Sequence, residues 1–241
     1  MSTSTDGLQA AESRKPRQNV TRRHSNAGVV SGHVDANLHR LLSDQREFVR
    51  VREWEQFHTP KNLAMALGGE VGELASAIGQ LLSDTPHTAR IDEIHTDVVD
   101  ELGDVTLYLL RLYDVAGIDP ESGFDGVVDP STEPCPWPST PAELFALARA
   151  AFDLAGTAGR LLESLQWEAN SASTESHARL AQNLPPRLNA TAESLRRVGE
   201  LLGVDVVHAA AAKNGKNMTK YPVELSRGSS RKYTELDTGT H

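Results

Sequence analysis

The chain has 241 residues, a formal net charge of −9 at pH 7 and a pI near 5.5, which argues against a general nucleic-acid binder that works by neutralising phosphates. A single cysteine, Cys135, excludes a disulfide framework and a cysteine zinc site. No apolar run reaches the roughly 18 residues that a membrane span needs, and the N-terminal residues lack a signal-peptide core, so a soluble, cytoplasmic protein is expected.

In chain order, residues 1–34 are rich in Ser, Thr, Arg and Gly without apolar periodicity and read as a disordered tail, its basic cluster (Arg14, Lys15, Arg17, Arg22, Arg23) solvated. Helical periodicity begins at about 35 with Leu38, Leu41, Leu42, Phe48 and Val49. "HTPKN" (58–62) breaks it, Pro60 being suited to a helix start. A second helix is expected from there to about 82, and a third from about 90 to 116, closed by Gly117. Residues 118–141 carry Gly and Pro and read as a linker. Helical patterns return at 141–168, 186–202 and 204–217, followed by a tail. No strand pattern stands out, and the expected fold class is all-α, a helical bundle.

"GEVGEL" (69–74) and "GTAGRL" (156–161) stand eighty-seven positions apart, and "GIDP" (117–120) and "GVDV" (203–206) eighty-six. Near-equal offsets and the same order of helix types make the second half a degenerate copy of the first.

Four acids fall on otherwise oily helices. Glu70 and Glu73 are spaced i, i+3 among Ala66, Leu67, Val71, Leu74 and Ile78; Glu101 and Asp104 repeat the spacing among Val98, Leu102, Val105 and Leu109. If the two helices run antiparallel the pairs face each other, and four converging carboxylates repel unless a cation compensates. Oxygen-only ligation selects a hard ion, Mg²⁺ or Mn²⁺. The opposing reading is that these acids are solvated or paired with basic residues, yet no Lys or Arg falls between Lys61 and Arg90. A di-iron bundle needs Glu-x-x-His on two helices, and the sequence offers only Asp92-x-x-His95, once.

At these residues the sequence resembles the MazG-like all-α nucleoside triphosphate pyrophosphohydrolases, whose signature is E-x-x-E, a spacer, then E-x-x-D. It looks most like the dCTP pyrophosphatase branch, through "REWEQFHTPKNLAMALGGEVGELA" (52–75), "DELGDVTLYLL" (100–110), "KNGKNMTKYP" (213–222) and "SSRKYTEL" (229–236). The resemblance implies that Glu70, Glu73, Glu101 and Asp104 hold Mg²⁺ against a triphosphate whose α–β anhydride is cleaved by water, with Glu73 the candidate for activating that water. It implies that Trp54 and His58 pack or hold the nucleoside, that Tyr108 lies near sugar and base, and that Lys213 and Asn217 contact phosphates or sugar. Taken alone, Trp54 and Tyr108 read equally as core aromatics, His58 as a capping or surface residue, and Lys213 with Asn217 as a solvated helix end.

The chain also departs from that family. Its fourth-helix motif does not follow "GIDP" but comes after the degenerate repeat, where the four acids align with Thr157, Arg160, Arg187 and Ala190. The family's base-stacking tryptophan aligns with Gln80 in the first half and with Trp167 in the second. The expected organisation is a tail (1–34), a catalytic repeat (35–120), a linker (121–140), a degenerate repeat bearing the Lys/Asn motif (141–222) and a C-terminal tail (223–241). The two repeats would form a pseudo-dimer in which the first supplies the metal site and the second helps to close the pocket. Trp167 reads as pocket or interface core, and Arg160 and Arg187 as phosphate ligands or ion-pair partners. The leading function is a dCTP-pyrophosphatase-like enzyme, working as a homodimer or as a monomer. A MazG-type diphosphohydrolase of other base preference and a catalytically silent nucleotide-binding protein remain as alternatives.

Overall fold

The computed structural model describes residues 27–83, 90–124, 137–166, 174–231 and 233–235, with side chains from residue 37 onward except 174–181 and 233. Among them the chain is all-α. The helices are α1 (Ala27–Val51), α2 (Pro60–Leu81), α3 (Ile91–Val115), α4 (Glu121–Phe124), α5 (Pro141–Leu165), α6 (Thr174–Leu202), α7 (Val206–Lys220) and α8 (Val223–Ser226), with short 3₁₀ turns at Trp54–Gln56 and Tyr233–Glu235. No helix among the described residues is long and apolar enough to cross a membrane. Cys135, Trp167 and the basic cluster at 14–23 lie outside the described residues.

Local chemistry starts and stops these helices where they are needed. Thr59 caps α2, its Oγ1 accepting from Asn62 N at 3.2 Å, with Pro60 in the first turn, where its missing N–H costs nothing. Thr140 and Glu143 form a reciprocal capping box ahead of α5, again with a proline at the start. Asp205 opens α7 by accepting from Val207 N at 2.8 Å and His208 N at 3.0 Å. The ends of α3 and α6 repeat one device. Gly117 (φ 65°) and Gly203 (φ 66°) turn left-handed, and Ile118 N and Val204 N reach back to Tyr113 O (3.0 Å) and Gly199 O (2.8 Å).

Three stretches differ from expectation. The first helix begins at Ala27, inside the expected disordered tail; Val30 and Val34 continue the four-residue spacing ahead of Leu38, and a helix once nucleated propagates at little cost. The helix expected from 186 begins at Thr174 and runs through Pro185 and Pro186; Leu184 and Leu188, on either side, are both buried, and their packing holds the axis across two lost backbone donors. Residues 121–124, at the head of the expected linker, form α4, which buries Phe124 against the bundle.

α2 packs against α3 and α5 against α6, and these two hairpins join through α2 on α5. Gly68 lets the two come close there: an added Cβ would stand 2.8 Å from Leu162 Cδ2. The helix that follows each hairpin packs on the other one: α4 lies on α6, and α7 lies on α3. One core results, including Leu67, Val98, Leu102, Val105, Leu109, Leu147, Leu161, Leu188, Leu195 and Val198, all essentially without solvent contact. Each such side chain contributes about 2 kcal/mol on burial, so this shared core fixes the two hairpins against one another.

Candidate metal and nucleotide cleft

A cleft of about 670 Å³ opens between α1, α2, α3 and α7. Each helix lends it one stripe, as 3.6-residue periodicity requires. From α2 come Asn62, Ala66, Glu70 and Glu73; from α3, Glu101, Asp104, Tyr108 and Arg111; from α7, Lys213, Asn214, Asn217 and Lys220. The 3₁₀ turn and the residues after it add Trp54, Phe57 and His58. The opposite faces of α2 and α3 carry the leucines and valines of the core, so the carboxylates are held on rigid, anchored helices rather than on loops.

The acids gather at one end. One carboxylate oxygen from each of Glu70, Glu101 and Asp104 lies within 4.8 Å of the others, and Glu73 lines the same cleft one turn along α2, its side chain more exposed. Glu101 Oε2 is buried without a hydrogen-bond partner among the described residues. Glu70 is pushed up to about 7 by burial first and then by the charges of Asp104, Glu73 and Glu101, with Lys213 opposing. Burial likewise raises Glu101, against the pull of Lys213. An all-oxygen set with an unpartnered buried lone pair and like-charge repulsion fits a hard divalent cation.

One cation is already present, brought by α7 rather than by the acids' own helices. Lys213 Nζ stands 2.6 Å from Asp104 Oδ2 and 3.8 Å from Asp100 Oδ2, and Lys216 reaches Asp100 Oδ1 at 2.6 Å. The close approach runs through Gly103, where a Cβ would stand 2.8 Å from Lys213 Cβ and 2.9 Å from Ala209 O. Burial lowers the Lys213 ammonium, but its bond to Asp104 and the charges of Asp104, Asp100 and Glu101 leave it raised overall.

The other end of the cleft is aromatic. The Trp54 ring meets Phe48 (5.5 Å) and Tyr221 (5.1 Å) edge-on and lies 6.3 Å from His58. Its Nε1 donates to Ser226 O at 2.9 Å. Tyr108, partly buried beside the acids, has its hydroxyl raised by burial and then by the charge of Glu70. His58 is held down at about 4 by burial and by the Arg111 charge.

The structure therefore brings Trp54, His58, Glu70, Glu73, Glu101, Asp104, Tyr108, Lys213 and Asn217 to a single cleft. Neither Arg160 nor Arg187 lines it; Arg187 Nη1 donates to Arg160 O, tying α6 to α5.

Sequence reasoning missed Arg111, Asn214, Lys220, Tyr221, Ser230 and Arg231 as cleft residues. Lys220 was signalled by its i, i+7 spacing from Lys213. Ser230 and Arg231 stand in the expected C-terminal tail, within the stretch "SSRKYTEL" that carries part of the resemblance, with no role assigned to either. Residues 221–228 clasp the end of α1: the buried Arg52 guanidinium donates to Tyr221 O at 2.8 and 2.6 Å, and Gly228 N donates to Arg52 O at 2.8 Å.

In class, the chain is an all-α bundle with a carboxylate cleft, as its resemblance to the MazG-like proteins leads one to expect. More particularly, it is similar to dCTP pyrophosphatase 1. It is 40% identical to the rat protein over 89 residues, covering 36% of this chain and 51% of the relative. It is 42% identical to the human protein over 86 residues, covering 35% and 51%, and 46% identical to the mouse protein over 68 residues, covering 27% and 39%. The chain thus spans about half or less of the length of the curated relatives it matches, and the resemblance is to the dCTP pyrophosphatase branch. No protein-family profile matches the chain, and no solved structure matches it.

Proposed function

We propose that this chain is a Mg²⁺-dependent nucleoside triphosphate pyrophosphohydrolase of the dCTP pyrophosphatase type, releasing a nucleoside monophosphate and pyrophosphate. The observation that carries the reading is the convergence of Glu70, Glu101 and Asp104 oxygens within 4.8 Å beside an aromatic recess, in one cleft. The names of the similar proteins, dCTP pyrophosphatases, supply the base.

Glu70, Glu73, Glu101 and Asp104 would hold the metal, which when bound neutralises charge developing on phosphoryl oxygens and acidifies water. Glu73, the most exposed of the four, would orient or deprotonate the attacking water. Lys213, Asn217 and Lys220 line the wall where a triphosphate would lie, with lysine charge to meet it. Trp54 offers an aromatic edge and His58 a polar one to the nucleoside.

The reciprocal packing of α4 on α6 and α7 on α3, with matching glycine turns at Gly117 and Gly203, supports reading the two halves as a pseudo-dimer with one metal-competent side. A cytoplasmic nucleotide-pool role and pairing of two such chains extend the same reading.

The test is a panel of canonical and modified nucleotides assayed with Mg²⁺ for monophosphate and pyrophosphate, against Glu73→Ala. Release from dCTP that the variant abolishes is expected. Release from another base instead redirects the specificity, and no release from any nucleotide in the panel favours a silent binding protein.

A further inference from the structure

Arg111 and Asp114 on α3 take no part in the chemistry described so far, yet both side chains are only 10% exposed. Arg111 Nη1 pairs with Asp114 Oδ2, and Asp114 is gripped from α1 by Arg46, whose Nη2 lies 2.6 Å from Oδ1. The fork is therefore locked before it reaches the cleft. Its Nε lies 3.3 Å from His58 Nδ1. An arginine only donates, so Nδ1 must be the accepting nitrogen of a neutral imidazole, and the ring proton must sit on Nε2.

We propose that Arg111 is a positioning residue that fixes His58 in its Nε2–H tautomer, so that the nucleoside end of the cleft presents a hydrogen-bond donor and selects a ligand edge carrying an acceptor, such as a pyrimidine carbonyl. The proposal rests on the nucleotide reading of the cleft and deepens it. The charged groups acting on His58 are Arg111, from α3, and Glu55, from its own turn. Arg111 opposes protonation and, with burial, outweighs Glu55, which keeps the donor in place across the neutral range. A histidine free of this arrangement interconverts between tautomers and gains a second donor on mild acidification, which blurs the discrimination.

The experiment is ¹⁵N NMR of the imidazoles in the nucleotide-free protein, with the His58 signals assigned by their loss in His58→Gln. Nδ1 is expected as an unprotonated acceptor and Nε2 as protonated, both unchanged from about pH 8 to about pH 5. In Arg111→Met the two nitrogens should exchange protons between tautomers, and the titration should move up toward the ordinary histidine range while staying below it, because the burial that is the larger cause remains. Asp114→Asn, which leaves Arg111 in place but loosened, should move the spectrum the same way by less. In turnover, Arg111→Met should raise the KM of the preferred nucleotide by roughly tenfold with kcat unchanged. A proton on Nδ1, or an ordinary His58 titration in the unaltered protein, overturns the proposal, as does an Arg111→Met spectrum identical to the parent's. The spectra need no turnover, so an enzyme inactive on every nucleotide sinks the hydrolase reading while leaving the tautomer result standing.

Discussion

Lys213 Nζ lies 2.6 Å from Asp104 Oδ2, and its side chain is only 5% exposed: a buried ammonium from α7 stands at the edge of a carboxylate cluster built by α2 and α3. Removing it leaves Asp104 without its partner beside Glu70 and Glu101. We expect Lys213→Met to lower stability by about 3 kcal/mol, the usual cost of breaking one side of a buried pair, read as a fall in the urea midpoint. Added Mg²⁺ should recover more of the loss in the variant than it adds to the unaltered protein, because it replaces the missing positive charge.

Glu70 makes stability and metal affinity move in opposite directions with pH. Its folded value of about 7 lies above its ordinary 4.5, so the native state holds the proton more tightly than the unfolded chain does. Its contribution is fully present below about pH 4.5 and is lost as pH rises through about 7. Metal-free stability should therefore decline over that window, while Mg²⁺ affinity, which needs the carboxylate deprotonated, should rise. Glu70→Gln should flatten the stability decline. Thermal melts without metal and calorimetric Mg²⁺ titrations at about pH 6 and pH 8 check both halves.

Two glycines separate close packing from open helix surface. At Gly103 a Cβ meets Lys213 Cβ and the Ala209 carbonyl, the latter being backbone that cannot swing aside. Gly103→Ala should push α7 off α3, costing about 1–3 kcal/mol and lowering kcat/KM through the displaced Lys213. At Gly72 nothing lies within 4 Å, so Gly72→Ala should raise the melting temperature by a helix-propensity gain of up to about 1 kcal/mol.

Tyr113 offers a stability change away from the cleft. Its ring is fully buried, and its hydroxyl donates to Asn189 Oδ1 at 2.7 Å, joining α3 to α6. Tyr113→Phe should cost about 1–2 kcal/mol through the lost hydrogen bond. It should leave KM and kcat unaltered at temperatures where the variant is folded, and a shift in either would link α6 to the site.

The segment 221–228 works as a clasp as well as a tail. Trp54→Phe keeps the aromatic face but removes the N–H that Ser226 O accepts. We expect a loss of about 1 kcal/mol, seen in the denaturation midpoint, and faster amide exchange in the C-terminal segment.

What the sequence by itself determined was local. Periodicity of 3.6 residues made the chain helical, Pro60 marked a helix start, and Gly117 marked a helix end. The i, i+3 spacing put Glu70 with Glu73, and Glu101 with Asp104, on single faces, because neighbours on a helix are a matter of geometry along one chain segment. The sequence misread Pro185 and Pro186 as a beginning because a proline's preference is local too, whereas the burial of Leu184 and Leu188 that carries the helix past them is not.

Only the tertiary structure decided what neutralises the acids, which way His58 holds its proton, and what closes the Trp54 end. Lys213 reaches Asp104 because Gly103 lets α7 come close, Arg111 reaches His58 because Asp114 on its own helix, held by Arg46 from α1, braces it, and Ser226 reaches Trp54 because Arg52 holds Tyr221. Each pair is far apart in the chain, and each depends on the distance and angle between packed helices, quantities that no spacing within one helix contains.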